Sequence, residues 1–326
     1  MRSSRVLVGA LAGVLLGTAG AATQDVLLVV NKSASTLSFV DPASGETAAE
    51  VATGFAPHEV AVSPDGRWAY VTDYGTGPRP GHTITVVDVA ERRVTRTIDL
   101  GRHTRPHGID VAADGSVWVT TEGSAHVLRM DPASGEVVRE AETGARVTHM
   151  VVVAAEHGRV FTANIGSGTV TAVDMETGDV VAEIETGAGA EGLALSPDGA
   201  TVYASNREAG TLSEIDVATA RVTRSLEVGA FPIRVEVTPD GARALVSNAQ
   251  ANELAVVHLE EWRVERRIPV GAVPVGIQIT PDGSTAYVAN TQADRISVVD
   301  LGRWEVAGTI EAGDEPDGMA WVSGRD

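Results

Sequence analysis

The chain has 326 residues, 44 acidic against 25 basic, and a formal charge of −19 at pH 7. A surface that negative repels phosphate backbones and anionic lipid, which argues against nucleic acid or a membrane face as partner. The sequence holds no cysteine, which removes disulfides, thiolate catalysis and thiolate metal sites.

The first stretch, MRSSRVLVGALAGVLLGTAGAATQ, reads as a secretory signal over residues 1–22. Arg2 and Arg5 open it, Val6 to Leu16 is a short apolar run, and Ala19-Gly20-Ala21 is a small-residue cleavage pattern. The run is short for a membrane span, and no later stretch approaches one. A periplasmic or secreted protein is expected, with residues 23–326 as one domain and no integral membrane segment.

Glycine then punctuates the chain. Gly54, Gly101, Gly144, Gly187, Gly229, Gly271 and Gly313 recur every 42 to 47 residues. Between them SPDGRWAYVTD, SPDGATVYASN, TPDGARALVSN and TPDGSTAYVAN align without gaps, and TITVVDV, TVTAVDM, TLSEIDV, ELAVVHL and RISVVDL follow in order. Alternation such as Val60-Ala61-Val62 has the strand period. In S-P-D-G, Pro presets a turn dihedral and Gly takes the position that strains a side chain. Four short strands in each repeat of about forty residues make the blade of a β-propeller.

Six complete units lie between Gly54 and Gly313. VLLVVNKSASTLSFVDPASGETAAEVAT, before them, carries strands two to four; DEPDGMAWV, after them, matches a first strand. The fold expected is all-β: a seven-bladed propeller of four-stranded antiparallel blades, its last blade closed by N- and C-terminal strands. That closure removes the open sheet edges.

The AYVTD, YASN, LVSN and YVAN segments, with their PDG turns and VVD strands, resemble the YVTN-type β-propeller repeat proteins from about Val26 to Val322. Blades two and three depart from the pattern (AADGSVWVTTE, AAEHGRVFTAN) but keep its turn logic. The resemblance implies a fold and a face: ligands bind where strand one enters the central channel. It leaves function open, because such propellers serve many ends. Seven-bladed lactonases and streptogramin-type lyases are similar in architecture, and APHE and RPHG look like the His-bearing strand entrances of such enzymes. YVTN repeats also resemble the haem-binding propeller of dissimilatory nitrite reductases, but that ring has eight blades, and no C-x-x-C-H occurs here.

Strand one of a blade lines the channel. The residue that begins it is, in blade order, His58, His107, His149, Glu191, Ile233, Val275 and Asp317, with insertions allowed before His107 and His149. One reading is that the histidines close the channel top with hydrogen bonds. The other is a metal site, because imidazole and carboxylate are the usual ligands of Zn²⁺, Mn²⁺ or Fe²⁺. His58, His107, His149 and Glu191 are its expected ligands, with Asp317 as a supporting group or an extra ligand. Glu59, next to His58, should point the other way by strand alternation.

The loops between strands two and three open on the same face. Tyr74, Arg79 and His82 sit in the enlarged loop of blade one, and Arg102, His103 and Arg105 precede His107. Tyr74, Arg102, Arg105 and Arg234 are candidates for the ligand rim, where cations suit an anionic group. Asn31, Asp73, Asn164, Asn206, Asn248 and Asn290 end the second strands, and their recurrence argues for caps and loop bonds. His126, His157 and His258 fall outside the channel column and read as surface residues.

The function expected is a monomeric exported propeller that holds a small molecule or peptide at its channel mouth. The divalent-metal site expected there has three histidine ligands and one glutamate. The alternative is a metal-dependent lactonase, hydrolase or lyase at the same place, with His103 or His82 moving the proton. A serine hydrolase has no support, because no G-x-S-x-G elbow occurs.

Overall fold

The computed structural model describes residues 24–324. The expected secretory signal over residues 1–22 lies outside the described residues. Among the described residues no helix is long and apolar enough to cross a membrane.

Among the described residues there are seven antiparallel four-stranded sheets and one 3₁₀ turn, at Ala155–His157. Strand one of each blade packs on strand one of the next, round the ring and back to the start. The closing blade joins Pro316–Val322 to Val26–Asn31, with Leu27 opposite Trp321 and Val29 opposite Met319. The seven-bladed ring, closed by strands from both ends of the described chain, is therefore as the sequence predicts.

The core lies between blades. Leu28, Val30, Leu37 and Phe39 of blade seven meet Val60, Ala69, Val71 and Val87 of blade one, and similar clusters fill the other gaps. Strand two is covered on both faces, so Trp68–Gly75 is nearly all buried, whereas the outer strand Thr47–Ala52 is largely exposed. Each fully buried Val, Leu or Phe contributes about 1.5–3 kcal/mol.

Three local devices set the channel mouth. First, the residue before strand one is left-handed in every blade: Ala56, Arg105, Val147, Gly189, Phe231, Val273 and Glu315. Only one of these is glycine, so the packed ring holds a conformation that costs most side chains about 1–2 kcal/mol.

Second, strand one carries a β-bulge directly after that turn. In blade one, Pro57 pairs with Asp73 but Val60 pairs with Val71, which leaves His58 and Glu59 together opposite Thr72. The bulged amide of Glu59 donates to Thr72 Oγ1 at 3.0 Å, and Gly108, Gly192 and Arg234 repeat the bond to Thr120, Ser205 and Ser247.

Third, the glycine that marks most repeats lies against the residue that ends strand two. A Cβ on Gly271 would stand 2.6 Å from Asn290 Cγ, and Gly313 and Gly54 press in the same way on Asn31 and Asp73. Asn31 meanwhile donates to Thr36 and Ser38 and accepts from the Gly313 amide. The recurring Asn is thus a structural clasp.

Candidate functional site

The left-handed turn and the bulge aim the start of every first strand at the axis. His107, His149, Glu191 and Asp317 are buried there, and His58 is half-buried. His58 Nδ1 lies 3.2 Å from Asp317 Oδ2 and 3.1 Å from His107 Nε2. The His107 ring lies against His149 at 3.6 Å between centroids, tilted by 31°. His149 Nδ1 contacts Glu122 Oε1 at 2.5 Å, and its Nε2 lies 3.5 Å from Glu191 Oε1. Three imidazoles thus form a row, with Asp317 at one end and Glu122 and Glu191 at the other.

Glu122 does not belong to the strand-one column. It follows Thr121, the end of strand two in blade two, and its amide donates to the carbonyl of the left-handed Arg105. The Arg207 amide makes the same bond to Gly189 in blade four. Tyr74 holds the equivalent place in blade one and donates its hydroxyl to Glu122 Oε2 at 2.5 Å. Its ring lies 4.4 Å from His58, under the Arg105 guanidinium at 5.2 Å. Arg207, in the same place in blade four, donates to Glu191 Oε2 at 2.9 Å. The strand-one column gave no sign of Glu122 or Arg207; the signal was the position just after each strand-two terminus.

Glu59 corrects the alternation argument. The bulge turns it inward beside His58, and Arg234, from the opposite side of the ring, donates to its carboxylate. This buried ion pair floors the mouth. Below it a cavity of about 580 Å³ runs down the channel past Asp110, Met150 and Glu236.

The charges are set by burial against contact. Burial alone would lower His149, but the flanking Glu122 and Glu191 carboxylates outweigh it and raise its pKa to about 9. Burial, and then the neighbouring charge of His149, hold His107 well below the usual histidine range. Burial opposes ionisation of Asp317, yet the His58 contact brings it down to about 2. Burial and the Glu122 charge lift Tyr74 to about 12. Burial pushes Glu59 above the ordinary carboxylate range against the pull of Arg234.

The donor chemistry fits a transition-metal ion. His107 Nδ1 is buried without a hydrogen-bond partner, and His149 Nε2 has only the 3.5 Å contact with Glu191. One ligand atom each of His107, His149 and Glu122 lies within 4.8 Å of the others. Bonds of about 2.1 Å place tetrahedral donors about 3.4 Å apart, so side-chain rotation would gather this set. His58 with Asp317, and Glu191, stand on either side of it rather than within it.

A family profile described as YNCE-like β-propeller matches residues 21–285. The chain belongs to the YNCE-like β-propeller family. No curated protein matches it. The YNCE-like ring superposes on Kuenenia stuttgartiensis hydrazine synthase with a TM-score of 0.75, at 21% identity over 85% of this chain and 92% of that one. A functionally unknown protein from Desulfotomaculum acetoxidans gives 0.80, at 11% identity over 91% and 99%. The dihydro-heme d1 dehydrogenase NirN, in complex with DHE, gives 0.65 at 18% identity, covering 88% of this chain and 63% of that one. At these identities the likeness is one of fold.

The remaining predicted residues of the YNCE-like propeller lie apart from the row. His82 is exposed and contacts Asp99 Oδ1 at 2.9 Å. His103 is buried near the outer strands of blade two, where burial lowers its pKa against the pull of Glu140. Arg102 is exposed and pairs with the same Glu140. Arg234 is committed to Glu59 in the floor. His258 accepts the Glu261 amide at 3.2 Å, as the turn aspartates of other blades do, and His157 is exposed. His126, read as a surface residue, is half-buried and packs 4.9 Å from the His103 ring.

Proposed function

We propose that this chain is an exported binding propeller. Its channel mouth holds one divalent transition-metal ion, Zn²⁺, Mn²⁺ or Fe²⁺, and a small polar molecule or peptide docks above it. The observation that carries this reading is the row of three imidazoles, with the buried, unpartnered His107 Nδ1 beside His149 and its two flanking carboxylates. His107, His149 and Glu122 would hold the ion, with His58, Asp317 and Glu191 beside them. When bound, it supplies positive charge and open positions for an oxygen or nitrogen donor of the ligand.

The chain's own groups prepare the place. Tyr74 fixes the Glu122 carboxylate, and Arg207 fixes Glu191. The Glu59–Arg234 pair closes the axis below, so a ligand approaches from the top face. Arg105, over Tyr74, offers that ligand a cation at the rim. Binding is preferred to lactonase, hydrolase or lyase chemistry because neither His103 nor His82 contacts the row.

The test is metal content. Purified protein, stripped and reloaded, should lose one equivalent of metal in a His107→Ala/His149→Ala variant. Uptake of Zn²⁺, Mn²⁺ and Fe²⁺ that is unchanged in that variant would defeat the reading. A lactone, ester and haem panel on the loaded protein then separates binding from turnover and from the tetrapyrrole chemistry named for NirN.

A further inference from the structure

Blade two carries a second group of metal-ligand type, independent of the channel row. His103 comes from the connection between blades one and two, His126 opens strand three, and Glu140 lies on strand four. Strand register places His126 opposite Glu142, so Glu140 is its diagonal neighbour on the same face. One ligand atom from each of His103, His126 and Glu140 lies within 4.8 Å of the others.

The supporting contacts orient both rings. His126 Nδ1 lies 2.5 Å from the Ser124 carbonyl, which can only accept. The proton therefore sits on Nδ1 and the lone pair on Nε2, which makes no hydrogen bond among the described residues. His103 Nδ1 lies 3.0 Å from Ser124 Oγ, and its Nε2 lies 3.0 Å from Glu140 Oε2. One serine thus positions two imidazoles through the nitrogens that face away from the third group. Backbone carbonyls and hydroxyls take this role behind metal-bound histidines. The rings meet at 64°, edge to face. Arg102 occupies Glu140 Oε1 at 2.7 Å, so Oε2, which faces His103 Nε2, is the oxygen on the imidazole side.

We propose that His103, His126 and Glu140 form a second divalent-metal site, of the class with two histidines and one carboxylate that takes Zn²⁺. His103 is 4% exposed and anchors the site, while the Glu140 side chain is 45% exposed and leaves it open to solvent. Water or a ligand from solution completes the coordination sphere. Ser124 is a positioning residue.

The experiment is a Zn²⁺ titration of the chelator-stripped full chain against a chromophoric chelator, in the His107→Ala/His149→Ala background. That background removes both imidazoles of the channel set and leaves the outer group intact. One equivalent should remain, with a Kd in the range of about 10 μM or below. Adding His126→Ala or Glu140→Gln should weaken it at least about tenfold, and Ser124→Ala by about tenfold through lost orientation. A background that binds no zinc below about 100 μM overturns the proposal, as does binding that survives both ligand changes. If the background fails to fold, the unmodified chain decides. Long-range ¹H–¹⁵N spectra should show the ring nitrogens of His103 and His126 shifting as zinc is added, and unshifted nitrogens at saturation overturn the site.

Discussion

The charge on His149 makes a quantitative prediction. Its pKa rises from an ordinary value near 6.5 to about 9 because Glu122 and Glu191 flank it. A histidine raised in the folded state contributes stability that is complete below its unfolded pKa and is lost as pH climbs through the folded one. The window therefore runs from about pH 6.5 to pH 9, and holding the proton across it corresponds to about 3 kcal/mol. The assay is urea unfolding of the metal-stripped protein at pH 6 and pH 9.5, for wild type and for His149→Gln. Other groups titrate in both proteins, so the difference between the two pH-dependent losses isolates this one. Wild type should lose about 3 kcal/mol more than the variant. An imidazole C2-H resonance of His149 with its midpoint at or below 6.5, or equal losses in the two proteins, would refute the electrostatic account of the row.

Three further outcomes follow from the same geometry. Because His149 is protonated at pH 7 and a metal ligand must be neutral, zinc uptake at the channel site should release about one proton per ion; calorimetry in two buffers, wild type minus His107→Ala/His149→Ala, measures it. Arg234→Met strands a buried carboxyl and should cost about 3–5 kcal/mol in chemical denaturation, while Glu59→Gln/Arg234→Met should recover most of that. Gly271→Ala drives a methyl group into Asn290 and should destabilise by more than about 2 kcal/mol, whereas Gly101→Ala meets no atom within 4 Å and loses stability only through its left-handed φ, about 1 kcal/mol; thermal unfolding compares the two.

The sequence by itself determined the ring. Strand period, PDG turns and the repeat of glycine are local signals, and seven copies of one supersecondary unit leave few ways to bury their faces except in a closed circle. It also determined which residue types stand at the channel mouth, since His58, His107, His149, Glu191 and Asp317 share one place in the repeat. Only the tertiary structure decided what those residues meet. A bulge breaks the two-residue period just where the mouth begins, so Glu59 turns inward against the rule that describes the rest of its strand. Its partner Arg234 is 175 residues away, across the axis, where no periodicity reaches. Glu122 reaches His149 because a loop of one blade leans over the first strand of the next. Likewise His103, His126 and Glu140 meet through a connection crossing two outer strands. Repetition specifies the shape of each blade, but contacts between blades depend on the side chains that break it, and closure of the ring brings those together.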